Sequence, residues 1–253
     1  MSAVSLELHG RMARVILDRP PLNIVDLALA RELVETLERV RARPGLCAVV
    51  LSARGRAFCA GVDVRDHLPD RGEEMIRTFD QACALLLEIE APVVAAVHGA
   101  ALGGGAEMAL ACDLVWAAES ATFGFPEIRL GVFPPVAAAL LASVISATLA
   151  AEMVLTGRVI KAAEAGRIGL VNRVVPEAGL AGAVEDLVGP LAALSPNALR
   201  VAKRALRLGR GRAAAEAIGA AEQLYLDERL EAADAVEGLR SFMEKRPPSW
   251  AKE

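Results

Sequence analysis

The sequence predicts an α/β fold with a layered core, and three observations carry that prediction. Short apolar runs alternate with longer stretches whose apolar residues recur at spacings of three and four. The runs at 47–52 and 93–97 are apolar along their length, the pattern of strands covered on both faces. From about Ser195 onward the pattern is helical with no further strand, so the tail, above all 213–245, reads as a helical appendage or an oligomer contact. With 253 residues, 54% hydrophobic and only 4% aromatic, the chain can bury a large aliphatic core, as one large domain or a main domain with an appendage.

Residues 4–9 and 13–17 read as two strands turned at His9-Gly10-Arg11, where glycine supplies the turn. After Arg19-Pro20-Pro21 the period changes. Asp26 can cap a helix that places Ala30, Leu33, Val34, Leu37 and Val40 on one face, with Arg31, Glu32, Glu35 and Glu38 opposite. A strand at 47–52 leads through a polar loop into Phe58-Cys59-Ala60-Gly61. Met75, Ile76, Phe79, Ala82, Cys83, Leu86 and Leu87 then mark a second helix that ends before Pro92. Another buried strand spans 93–97. Gly103-Gly104-Gly105 opens a short helix containing Glu107, and 114–117 reads as the next strand. The alanine-rich stretch 136–141 has good helix propensity.

Several functional classes are disfavoured at once. Basic and acidic residues number 28 and 32, a formal charge of −4, and no run of lysine or arginine offers a nucleic-acid surface. The mean hydropathy is positive, but charges interrupt every long apolar stretch, so no membrane span is expected. The first ten residues lack a signal-peptide layout. Cys47, Cys59, Cys83 and Cys112 are scattered without metal-type spacing, which fits reduced thiols and a cytoplasmic location.

The glycine run is the first candidate for chemistry. Three glycines inside a helix cost roughly 1 kcal/mol each relative to alanine. At a strand-to-helix turn they instead admit a ligand and leave N–H groups unpaired, aimed where negative charge develops. Losing one such donor typically costs ~3–4 kcal/mol of transition-state stabilisation. A tight packing crossing explains the glycines equally well, and they lack the spacing of a dinucleotide fingerprint. Glu107 lies on the otherwise apolar helix Ala106-Glu107-Met108-Ala109-Leu110-Ala111. Burial would raise its pKa and make it a usable acid or base; a solvent-facing carboxylate at the helix start is the alternative. Glu127 also has mainly apolar neighbours, although Arg129 could hold it in a plain salt bridge.

Taken together, these segments resemble one family. Ala57-Phe58-Cys59-Ala60-Gly61-Val62-Asp63 is similar to the first oxyanion loop of the crotonase (enoyl-CoA hydratase/isomerase) superfamily. His98-Gly99-Ala100-Ala101-Leu102-Gly103-Gly104-Gly105-Ala106-Glu107 resembles its second. Phe123-Gly124-Phe125-Pro126-Glu127-Ile128-Arg129-Leu130-Gly131 resembles the segment bearing its second catalytic carboxylate. The likeness runs from near Arg19 to Phe242-Met243-Glu244-Lys245-Arg246.

The resemblance implies a spiral of ββα units over 1–195, holding the CoA and acyl site. It also implies a helical region over 196–253 that builds homotrimers or dimers of trimers. It implies that the N–H groups of Val62 and Gly104 form an oxyanion hole around a thioester carbonyl. Glu107 and Glu127 would share a water, one removing its proton while the other protonates Cα. Such general acid–base catalysis contributes ~10²–10⁴-fold. Ala60, Gly61, Asp63 and Gly103 belong to the same two loops. Leu22, in a turn one residue shorter than usual and lacking a common lysine, matches a CoA contact. Phe242 and Lys245 match positions that approach CoA phosphate, often from a neighbouring subunit, with an ordinary exposed lysine as the alternative for Lys245. Phe125, where a polar residue is common, and Phe133 would shape the acyl wall. No metal and no cofactor beyond the coenzyme A of the thioester are implied.

The stretches Asn23-Ile24-Val25-Asp26, Asp66-His67-Leu68-Pro69-Asp70 and Pro134-Pro135 are similar to cyclohexa-1,5-dienecarbonyl-CoA hydratases. The expected function is hydration of a 2-enoyl-CoA through a stabilised enolate, with a cyclic dienoyl-CoA as a candidate substrate. Double-bond isomerisation, decarboxylation or thioester hydrolysis would use the same intermediate, and retention of both glutamates favours hydration. A binding or RNA-associated protein of this fold is the alternative from another class, and the missing basic stripe counts against it. His67 is expected in an exposed loop, with a place at the pocket mouth as the alternative; His98 and Trp116 are expected in packing roles, and Trp250 against a partner subunit.

Overall fold

The computed structural model describes residues 2–210, 213–228 and 233–247. Strands β1 (Val4–His9) and β2 (Met12–Leu17) pair antiparallel across Gly10, which takes the left-handed conformation the turn requires. Helix α1 (Leu27–Arg41) starts where expected: Asp26 Oδ1 accepts the Leu29 N–H at 2.9 Å. Its inner face is Leu29, Ala30, Leu33, Leu37 and Val40. Strand β3 (Ala48–Ala53), helix α2 (Gly72–Glu88) and strand β4 (Val93–Val97) follow. Next come strand β5 (Ala100–Leu102), helix α3 (Gly104–Leu110), and strands β6 (Leu114–Ala118) and β7 (Thr122–Gly124).

Beyond these lie α4 (Pro135–Leu140), α5 (Ala147–Thr156), β8 (Val159–Lys161), α6 (Ala162–Arg167) and β9 (Arg173–Val175). Helix α7 (Leu180–Ala192) precedes the tail, which is α8 (Pro196–Arg210), α9 (Ala213–Glu228) and α10 (Ala233–Met243). No single described helix is long and apolar enough to cross a membrane.

The main sheet has the order β1-β2-β3-β4-β6-β9 and is parallel except for its first pair. Its central strands are covered on both faces, which is why their sequences are continuously apolar. Val49, Leu51, Val93, Ala95 and Val97 join the core filled by α1 and α2. Ala48, Val50, Val94 and Ala96 point the other way, against Leu180, Val184 and Val188 of α7. Burying each such aliphatic side chain contributes about 1.5–3 kcal/mol. A second sheet, β5-β7-β8, carries the site loops.

The helical tail packs back on its own chain. Lys203 of α8 is buried, donates to the Ala91 carbonyl at 2.9 Å and pairs with Asp113. Helix α9 lies on α4 and α2, while α10 lies on two 3-10 turns, Val64–His67 and Pro126–Leu130. Trp116 packs on the α7 side of the sheet as a partly buried residue. Trp250 lies outside the described residues.

Candidate active site

The first loop is stitched on both sides. Toward β5, Phe58 N–H donates to His98 O at 2.8 Å, Cys59 N–H to Ala100 O at 3.0 Å, and Leu102 N–H to Cys59 O at 3.0 Å. On the opposite side, Val25 N–H donates to Gly61 O at 3.0 Å and Asp63 N–H to Val25 O at 2.8 Å. These bonds bracket Val62 and leave its own N–H without an acceptor among the described residues. Asn23 anchors the loop from below. Its buried side chain accepts the Arg19 N–H and donates to Arg54 O and Ala57 O, all within 2.8 Å.

The second loop turns at Gly103, whose φ of 51° favours glycine, and Gly104 begins α3. As a first-turn residue Gly104 has no intrahelical acceptor for its N–H, and none is found elsewhere among the described residues. The packing reading of the glycine run holds at two residues. A Cβ on Gly105 would lie 2.1 Å from the Cys59 carbonyl, so Gly105 is a packing crossing. A Cβ on Gly103 would lie 2.5 Å from Glu127 Oε1, so Gly103 makes room for that carboxyl group.

Glu107 is buried on α3, and its Oε1 accepts the Ala137 N–H at 2.9 Å from the first turn of α4. The solvent-facing alternative therefore does not apply. Glu127 follows Pro126 in a 3-10 turn. Its Oε2 is buried with no partner among the described residues, and Arg129 forms no ion pair with it. Burial pushes both carboxyls above the usual carboxylate range. The negative charge of Glu107 pushes Glu127 further, whereas the Ala137 N–H draws Glu107 partly back. The pair is thus disposed to hold a proton at neutral pH.

Both glutamates line a cavity of about 430 Å³ together with Ala60, Gly61, Val62, Gly103, Gly104, Phe133 and Phe242. The remaining expected residues lie off its wall. Phe125 is fully buried in the main core. Asp63 caps the Val64–His67 turn and chelates Arg65. Leu22 is 38% exposed and touches the site only through its carbonyl, which accepts the Ala60 N–H at 3.0 Å. Lys245 is exposed beyond α10, and Arg246 takes its place on the wall.

Three lining or neighbouring groups, Asp80, Tyr225 and Arg246, were not foreseen, and His67 takes the second of its two expected places. His67 lines the cavity instead of an exposed loop, half-buried, its Nδ1 3.1 Å from the Asp63 carbonyl and its imidazole pushed toward the neutral form by burial. His98 keeps its expected packing role, Nε2 lying 3.1 Å from Gly55 O. Asp80 lies on the wall with both carboxylate oxygens buried and unpartnered. Its position was readable, since Asp80 follows Ile76 by four and precedes Cys83 by three on an apolar helix face. Tyr225 of α9 stacks edge-on with Phe133, ring centroids 5.4 Å apart, with its hydroxyl buried. Arg246 is held by Glu237 and Glu244.

Comparison with known proteins fits this geometry. The model of the family "Enoyl-CoA hydratase/isomerase" matches residues 7–253. A cyclohexa-1,5-dienecarbonyl-CoA hydratase of Thauera aromatica is 39% identical over 247 residues, covering 98% of this chain and 95% of the relative. A carnitinyl-CoA dehydratase of Proteus mirabilis is 32% identical, covering 98% of each chain. Among solved structures, an enoyl-CoA hydratase/isomerase from Xanthobacter autotrophicus Py2 superposes with a TM-score of 0.87 at 29% identity, covering 97% of each chain. An enoyl-CoA hydratase from Mycobacterium avium subsp. paratuberculosis gives 0.86 at 27% identity, covering 99% of each.

Proposed function

The chain belongs to the enoyl-CoA hydratase/isomerase family, and from that premise we propose that it adds water across the double bond of a 2-enoyl-CoA. The observation that carries this reading is the meeting of two buried carboxyl groups with raised pKa and two unpaired amides in one cavity. The thioester oxygen accepts from the N–H groups of Val62 and Gly104. A water sits between Glu107 and Glu127. The ionised glutamate takes its proton as oxygen bonds to Cβ, the electron pair moves onto the thioester as an enolate, and the protonated glutamate delivers a proton to Cα. Preorganised donors stabilise the enolate without reorganising during the step. Coenzyme A enters as part of the substrate, and the chain's own residues supply the acid, the base and the oxyanion donors.

The acyl group we propose is a cyclic dienoyl. The Thauera aromatica relative supports it, as do the Pro134-Pro135 segment and Phe133 on the cavity wall. Purified protein is to be incubated with crotonyl-CoA and with cyclohexa-1,5-diene-1-carbonyl-CoA, and the products weighed by mass spectrometry. Gain of one water on either substrate is the expected result, and the faster substrate identifies the acyl class. CoA-thioester binding with no water gain on either would replace hydration by isomerisation or another enolate reaction.

A further inference from the structure

A water addition that uses Glu107 and Glu127 leaves one buried acid of the cavity without a task. Asp80 is 2% exposed on α2, lines the same cavity, and has no hydrogen-bond partner for either oxygen among the described residues. Among the described residues it forms no salt bridge. The charges that act on it are both negative, first Glu107 and then Glu222, and burial with those charges pushes its pKa up to about 9. Glu107 in turn is the charge that raises Glu127. All three carboxyls line the same cavity, and the charge of Glu107 acts on both Asp80 and Glu127. Among the described residues no three acidic, histidine or cysteine side chains are grouped as metal ligands. At neutral pH Asp80 is a carboxylic acid, which can give a proton but cannot take one. An unpaired acid in an apolar wall costs stability, so a bound group that uses it offsets a standing penalty.

We propose that Asp80 is a third catalytic residue, the proton donor that completes hydration of a conjugated dienoyl thioester at the γ carbon. The proposal rests on the hydratase reading above and specifies its substrate class. Hydration of a simple 2-enoyl thioester needs one base and one acid. With a second double bond also attached to Cα, addition of hydroxide to Cβ pushes the electron pair into a dienolate that is basic at two carbons, Cα and the distal γ carbon. Protonation at the γ carbon consumes the second double bond and restores an α,β-unsaturated thioester, which keeps conjugation with the carbonyl. The balance is one water: oxygen and its bond go to Cβ, the proton given up by water goes to the basic glutamate, and the proton formed at the γ carbon comes from Asp80. The proton taken by the basic glutamate then returns to Asp80 and restores both groups to their starting forms.

The test runs both thioesters in D2O and locates the deuterium by NMR, for the wild type and for Asp80→Asn and Asp80→Ser. The expected wild-type product of the dienoyl substrate carries deuterium at the γ carbon. Both variants are expected to lower the ratio of kcat/KM for the dienoyl substrate over crotonyl-CoA by about 10²-fold, and to shift residual deuterium toward Cα. Wild-type deuterium at Cα alone overturns the proposal without reference to any variant. So does an equal loss on both substrates in a folded variant, or an unchanged ratio. If the wild type hydrates crotonyl-CoA and leaves the dienoyl substrate untouched, the hydratase reading stands and the role of Asp80 falls. If it hydrates neither, the hydratase reading falls first.

Discussion

Burial pushes Glu107 and Glu127 both above the usual carboxylate range; backbone N–H groups draw Glu107 partly back, while the charge of Glu107 pushes Glu127 further up. Replacing either by glutamine keeps shape and burial but removes the titration. Glu107→Gln and Glu127→Gln are each expected to fold normally and to lose at least about 10²-fold in hydration, measured on whichever thioester the wild type turns over. Near-normal turnover in both would dismiss the two-carboxylate mechanism.

Asp80 also leaves a mark on stability. Its folded pKa of about 9 lies above the ordinary 3.8, so between those values the folded chain holds a proton that the unfolded chain has released. Stability from this group is fully present below about pH 4 and is lost as pH rises toward 9. Asparagine cannot titrate. The Tm advantage of Asp80→Asn over wild type should therefore widen from pH 5 to pH 9, and a gap that stays constant would show that the carboxyl is not buried as an acid.

Elements place these side chains to within ångströms through contacts that leave no spare volume. Helix α3 docks on the first loop at Gly105, where a methyl group would meet the Cys59 carbonyl at 2.1 Å. Gly105→Ala is expected to cost about 3 kcal/mol by thermal or urea unfolding, the upper range for overpacking, and to lower activity by moving α3 away from Val62.

This level was the most readable in the sequence. The β4 span was expected at its observed bounds, and α1 starts after the Asp26 cap expected ahead of its apolar face. Strands β5, β7, β8 and β9 have three residues each, too few to show a period, and their pairing is decided by partners far away in the chain. Of the site, the glycines and glutamates were legible because they break the local rule, a charge or a run of glycine amid apolar residues. Asp80 broke the same rule but sat among enough aliphatic neighbours to be absorbed into a helix face. Tyr225 offered no signal, since what makes it notable is a hydroxyl left unpaired by tertiary packing.

At the scale of the molecule, the tail has two faces. One covers the site through Leu239 and Phe242. The other presents Val201 and Leu206 of α8, 51% and 74% exposed, the kind of surface a neighbouring subunit covers. We propose a homotrimer or dimer of trimers, as the family resemblance suggests. Light scattering is expected to give a mass three or six times that of the chain, and Leu206→Glu is expected to weaken the assembly; a monomer at micromolar concentration would reject it.

Gly238 of α10 has no side chain because a Cβ there would lie 2.2 Å from the carbonyl of Leu130, at the end of the turn that carries Glu127. That contact makes the turn and the helix one mechanical unit, although they stand far apart along the chain. The position of Glu127 therefore depends on packing that no local sequence sets. A methyl group on Gly238 would push the turn outward and displace Glu127 without touching it.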